Sequence, residues 1–134
     1  MTVEADLIGY LLADSGVAAI VGTRITPVSR TQGDPLPALT VTRVSGAPLY
    51  ADEGEVGLTN ARIQVDSWGS TYTSAKDLAA AVLTRLSAVQ DVLQGSTTFI
   101  YITMDNEQDF REGGAGEPEY LFRVSQDFIV WTGG

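Results

Sequence analysis

Thr59-Asn-Ala-Arg-Ile-Gln-Val-Asp-Ser-Trp-Gly-Ser-Thr-Tyr-Thr-Ser-Ala-Lys-Asp-Leu-Ala-Ala-Ala-Val-Leu-Thr-Arg-Leu-Ser-Ala-Val89 passes from a period of two to a period of about 3.6 across one short polar turn. Ala61, Ile63 and Val65 alternate with Arg62, Gln64 and Asp66, so the first part reads as a strand with one buried face. Trp68 ends the polar row with an aromatic ring. After Gly69, the hydroxyl of Thr73 or Ser74 can cap a helix whose Leu78, Ala79, Val82, Leu86 and Val89 share one apolar stripe. A strand and the helix that covers it are written side by side.

Upstream, Val3, Leu7, Tyr10 and Leu11 recur at helical spacing behind Thr2 as the cap, with Glu4 and Asp6 where the helix dipole favours acids; the helix is expected to run to about Asp14. Ser15 can cap a second short turn, Gly16 to Val21, which Gly22 ends. Arg24 to Val28 is extended but contains Pro27, which confines it to a sheet edge. From Pro37 to Ser45, Leu39 and Val41 alternate with Thr40 and Thr42 as in a strand. Gly46, Pro48, Gly54 and Gly57 punctuate the next stretch, which carries Asp52, Glu53 and Glu55 and is expected to be a long acidic loop.

Downstream, Thr97 to Met104 reads as a strand with Phe99 and Tyr101 on one side and Ile100 and Ile102 on the other, which suits a central position. Residues 105 to 119 contain Asp105, Glu107, Asp109, Glu112, Glu117 and Glu119 with three glycines, and a mobile loop is expected. In the longest strand, Tyr120 to Trp131, Tyr120, Phe122, Val124, Phe128 and Val130 point inward while Arg123, Ser125 and Asp127 point outward. The expected fold is a single α+β domain. Its sheet is mostly antiparallel, of about four strands, with the long helix and the N-terminal helix packed on one face.

At 134 residues the chain suits one domain with a substantial core. It has neither Cys nor His, which excludes disulfides, thiolate metal sites and imidazole bases within one chain. Seventeen acidic residues against eight basic ones leave a net charge of −9, and Lys76 is the only lysine, so no basic patch for a nucleic-acid backbone can be assembled. No apolar run approaches a membrane span, and Met1-Thr-Val-Glu lacks the positive start of a signal peptide, so a soluble, cytoplasmic product is expected.

Asp105-Asn-Glu-Gln-Asp109 places acids at alternate positions, but Phe110 stands where a calcium loop needs Gly and Gly116 where it needs Glu. Gly113-Gly-Ala-Gly-Glu-Pro118 has no following Lys and fails the phosphate-loop pattern. No cofactor, metal site or catalytic residue is expected. Trp68 and Trp131 either close strands over the core edge or anchor a partner. Arg62, Asp66, Arg123 and Asp127, opposite the apolar rows, either form cross-strand ion pairs or meet a neighbouring subunit.

Gly22-Thr-Arg-Ile-Thr-Pro27, Pro35-Leu-Pro-Ala-Leu-Thr-Val-Thr-Arg-Val-Ser-Gly46, Leu58 to Trp68, the helix from Tyr72 to Leu86, and Val124-Ser-Gln-Asp-Phe-Ile-Val-Trp131 occur in this order along nearly the whole chain. In that succession the sequence resembles the tail-completion or tail-terminator proteins of long-tailed bacteriophages and gene-transfer agents. The resemblance implies a subunit of a ring, expected to be hexameric, at the head-proximal end of the virion tail, assembled in the cytoplasm of the bacterial host. Its implied partners are further copies of itself, the tail tube protein and the head-tail connector or stopper protein. DNA would pass through the lumen without sequence-specific binding. Asp52, Glu53, Glu55, Asp105, Glu107, Asp109 and Glu112 then become candidates for loop contacts with tube, connector or lumen. A monomeric head-tail adaptor and a small carboxylate-dependent hydrolase are the alternatives.

Overall fold

A computed structural model of the chain describes residues 2–29, 35–51, 54–112 and 121–133. Three helices, α1 (Val3–Leu12), α2 (Ser15–Val21) and α3 (Tyr72–Ser87), accompany six strands: β1 (Ile25–Pro27), β2 (Ala38–Ala51), β3 (Gly54–Gly69), β4 (Val92–Gln94), β5 (Thr97–Glu112) and β6 (Leu121–Gly133). The strands form one sheet in the order β1-β2-β3-β6-β5-β4. Among the described residues only the β1–β2 pair is parallel. The α+β architecture is as the periodicities predict, but the sheet has six strands where about four are expected. The additional β4 is three residues long, too short to show a period.

The helix starts follow from side-chain oxygens that satisfy orphan amides. Thr2 accepts from the Ala5 amide at 3.1 Å. Asp14, not Ser15, caps α2 by accepting from the Val17 amide at 3.0 Å. Thr71, not Thr73 or Ser74, caps α3 by accepting from the Ser74 amide at 3.1 Å. The helix starts earlier than expected because the turn after Gly69 is so tight: a Cβ on Gly69 would lie 2.7 Å from the Ala75 backbone nitrogen.

All three helices stand on one face of the sheet. Leu7, Leu11, Val17, Val21, Leu78, Val82 and Leu86 from the helices meet Leu39, Val41, Ile63, Val65, Phe99, Phe128 and Val130 from the strands, every one fully buried. A smaller cluster of Ala75, Ala79 and Val124, with Phe122 against it, extends this layer toward the start of α3.

Four expectations are corrected. Residues 46–58 are not one long loop: β2 continues to Ala51 and β3 begins at Gly54, with Tyr50 paired to Glu55. Residues 105–112 are likewise strand, continuing β5 against β6 as far as the Glu112–Leu121 pair. In both places ladder hydrogen bonds to a long neighbour override local Gly and acid content, because strand preference is set largely by context. Finally, Ile100 is an extra residue between the pairs Phe99–Thr132 and Tyr101–Trp131. This bulge resets the alternation, so Phe99 and Ile102 both face the core while Tyr101 is exposed on the other face. Nor is β5 central, since β4 covers it only over Thr97–Phe99.

Candidate interaction surface

The face of the sheet that the helices leave uncovered is built from β2, β3, β6 and β5 in register. Thr40 lies opposite Asp66, Asp66 opposite Ser125, and Ser125 opposite Gln108; one step along, Thr42, Gln64, Asp127 and Asn106 form the next row. The period-two alternation of β3 and β6 therefore brings Arg62, Asp66, Trp68, Arg123, Asp127 and Trp131 onto one surface. All six share it, as their polar-row positions predict.

Their geometry is that of a cross-strand network. The Arg62 guanidinium sits between Asp105, with which it forms a short hydrogen bond, and Asp127 at 3.4 Å. Arg123 lies 3.6 Å from Asp66, whose carboxylate also accepts from the Gln64 amide at 3.1 Å. The same guanidinium stands 4.3 Å from the Phe110 ring centroid and 5.5 Å from that of Trp68. Trp68 donates its indole N–H to Thr40 Oγ1 at 3.1 Å. Trp131 stacks on Tyr101 with centroids 5.8 Å apart. Both tryptophans thus lie opposite the core and do not close its edge. The hydrogen bond from Arg62 to Asp105, followed by the charges of Asp105 and Asp127, raises the Arg62 pKa above its ordinary value despite partial desolvation.

A second polar group lies on the helix face where β5 runs beyond the core. Lys76 of α3 donates to Asp109 at 2.9 Å and reaches Glu107 at 3.5 Å, and the Tyr72 hydroxyl donates to Asp109 at 3.1 Å. The bond to Asp109 raises the Lys76 pKa, and the same bond depresses that of Asp109, with Tyr72 contributing. Gln126, fully buried, donates through Nε2 to the Ala79 carbonyl at 3.1 Å and to Glu107 at 2.9 Å, while its Oε1 has no partner among the described residues. Gln126 was readable from sequence only as the polar interruption of an inward row, between Val124 and Phe128.

Of the loop candidates, Asp105, Glu107 and Asp109 therefore belong to a strand and already hold partners within the chain. Glu55 and Glu112 lie within β3 and β5, and Asp52 and Glu53 fall outside the described residues. Nearly every carboxylate on these surfaces faces a cation or a donor, which suits the mutual support of strands and side chains rather than proton transfer at a substrate. Among the described residues no group of acids is placed to hold a metal ion, and no helix is long and apolar enough to cross a membrane.

Residues 5–133 match the family described as tail completion protein gp17. Among solved structures, a chain in the virion of a native gene transfer agent particle is similar with a TM-score of 0.76 at 20% identity, covering 98% of this chain and 95% of that one. At that identity the likeness is one of fold. Comparison with curated proteins gives no match.

Proposed function

This chain belongs to the tail completion protein gp17 family of phage tail structural proteins, and we propose that it is a ring-forming tail terminator. In this reading, copies of the subunit close a ring, expected to be hexameric, on the head-proximal end of the tail tube. The ring stops tube growth and presents a surface to the head connector or stopper, and DNA passes through its lumen. Assembly takes place in the cytoplasm of the bacterial host.

The observation that carries this reading is the family match over residues 5–133, nearly the whole chain. The uncovered sheet face adds physical support. Arg62, Asp66, Trp68, Arg123, Asp127 and Trp131 share that face with the exposed rings of Tyr101 and Phe110. A mixture of satisfied charges and aromatic area suits contact with a protein partner or a channel wall better than it suits burial in the core. No residue is assigned a catalytic role.

The test is complementation. Particles assembled without this protein should contain heads and tails that fail to join, and tubes of irregular length; adding the purified protein should restore joining and yield capped tubes visible by electron microscopy. A protein that stays monomeric and binds neither tube ends nor heads would exclude the reading. Binding to the connector alone, with no effect on isolated tubes, would favour the monomeric adaptor.

A further inference from the structure

Both edges of the sheet are only partly covered. β1 covers β2 over Leu39–Val41, and the Val28 amide donates to the Val41 carbonyl where that cover ends. From Thr42 onward the outer side of β2 has no strand beside it among the described residues. At the other edge, β4 covers β5 over Thr97–Phe99 and the Asp91 amide donates to the Ile100 carbonyl where that cover ends; from Tyr101 to Glu112 the outer side of β5 has no strand beside it among the described residues.

The two open stretches match in level and length. Thr42 is level with Asn106 through Gln64 and Asp127, and Ala47 is level with Tyr101 through Asn60 and Trp131. Each edge therefore offers six backbone residues over the same height, 42–47 and 101–106. Each also carries one bulge residue in that interval, at Val44 and at Asp105. Bulges often blunt an edge, but one on each side leaves the flanking residues in step. The strand directions match too. β2, β3, β6 and β5 alternate in direction, so β2 of a copy rotated about an axis parallel to the strands arrives antiparallel to β5.

Charge is complementary across the same junction. On the helix face of β5, Glu107 and Asp109 both lie against Lys76, while Asp105 and Asp127 lie against Arg62 on the opposite face. Arg43 on β2 is exposed and has no partner among the described residues. It is level with Met104, itself 39% exposed, through Ile63 and Phe128. From there an arginine reaches Glu107 on the same face.

The geometry points to a ring wall that is one continuous sheet: β2 of each copy adds to β5 of the next, with Arg43 meeting the carboxylates of Glu107 and Asp109. This rests on the ring reading above and specifies how copies join. It is a heterologous contact, the kind that closes rings. Because the helices occupy one face only, the wider helix layer stands outside, where the circumference is larger, and the face of Arg62, Asp66 and Trp68 turns to the channel.

The chain has no cysteine, so introduced thiols report the junction without background. Ser45→Cys is combined in turn with Tyr101→Cys, Thr103→Cys and Gln108→Cys, because strand tilt sets the final register. Within one copy the two edges are three strand spacings apart, about 14 Å, beyond the roughly 7 Å limit for a disulfide. Oxidation of at least one assembled pair should produce a ladder of covalent oligomers ending at the ring size, whereas each single variant stops at the dimer. Rings in electron micrographs with no ladder from any pair would overturn edge pairing and leave the ring reading standing; an absence of rings from the wild type, alone and on tube ends, would remove both. Arg43→Glu should weaken assembly several-fold at low salt and Met104→Lys in the same chain should recover it. Unchanged assembly of a folded Arg43→Glu variant would overturn the charge pairing.

Discussion

Single side chains hold the extended parts of this sheet to its core. Asp6 on α1 is buried and accepts hydrogen bonds from Thr97 Oγ1 and from Ser96 Oγ, so it ties the first helix to the β4–β5 turn. That turn needs glycine at position 95, where φ is +60° and a Cβ would meet Asp6 Oδ1 at 2.3 Å. Gly95→Ala should cost upwards of ~1 kcal/mol from the left-handed backbone alone, and Asp6→Ala about 1–3 kcal/mol by stranding the Thr97 hydroxyl; urea midpoints at constant slope check both. Gln126→Glu would place a second carboxylate against Glu107 in a fully buried site. It should destabilise by about 3 kcal/mol or more at neutral pH and recover as acid protonates the pair. The Lys76–Asp109 contact has its own pH window. Asp109 is depressed, so its contribution is present above the ordinary Asp pKa and is lost as pH falls through the lowered one. Lys76 is raised, so its contribution holds below the ordinary Lys pKa and is lost as pH rises through the raised one. Both side chains are about a third or more exposed, so the pair should contribute under ~1 kcal/mol. The stability difference between wild type and Lys76→Met should be flat between about pH 5 and about pH 9 and close only below about pH 4 and above about pH 10.

Among the elements, α3 carries the clearest division between readable and hidden. Its stripe of Leu78, Ala79, Val82 and Leu86 is buried as the 3.6-residue period requires, because the period is a property of the helix itself. Its start was not legible, since the four serines and threonines Ser70, Thr71, Thr73 and Ser74 lie between Gly69 and Ala75 and only the backbone path after Gly69 selects Thr71. Thr71→Ala should therefore cost about 1 kcal/mol and Thr73→Ala far less, as measured by thermal or chemical unfolding. β5 shows the converse. Its apolar start was legible as a strand, while its acidic continuation from Asp105 to Glu112 was not. Those residues are extended because β6 supplies the ladder and Lys76, Arg62 and Gln126 receive the carboxylates.

At the scale of the whole molecule, the sheet has one helix-covered face, one uncovered face and, among the described residues, two partly covered edges. In the proposed ring, assembly through those edges should respond to ionic strength, because exposed Arg43 would meet Glu107 and Asp109 across a solvent-accessible junction. Sedimentation at rising salt should show the oligomer loosening while circular dichroism stays unchanged. The sequence by itself determined the α+β class, the inward rows of β2, β3 and β6, the shared polar face of Arg62, Asp66, Trp68, Arg123, Asp127 and Trp131, and the family, because alternation and helical period are local and survive without knowledge of neighbours. Tertiary structure alone decided how far β2, β3 and β5 extend, that the bulge at Ile100 turns Tyr101 away from the core, which acids are neutralised, and where the sheet edges are left open. Each of these depends on which strand lies alongside, a relation between segments far apart in the chain that no local pattern encodes.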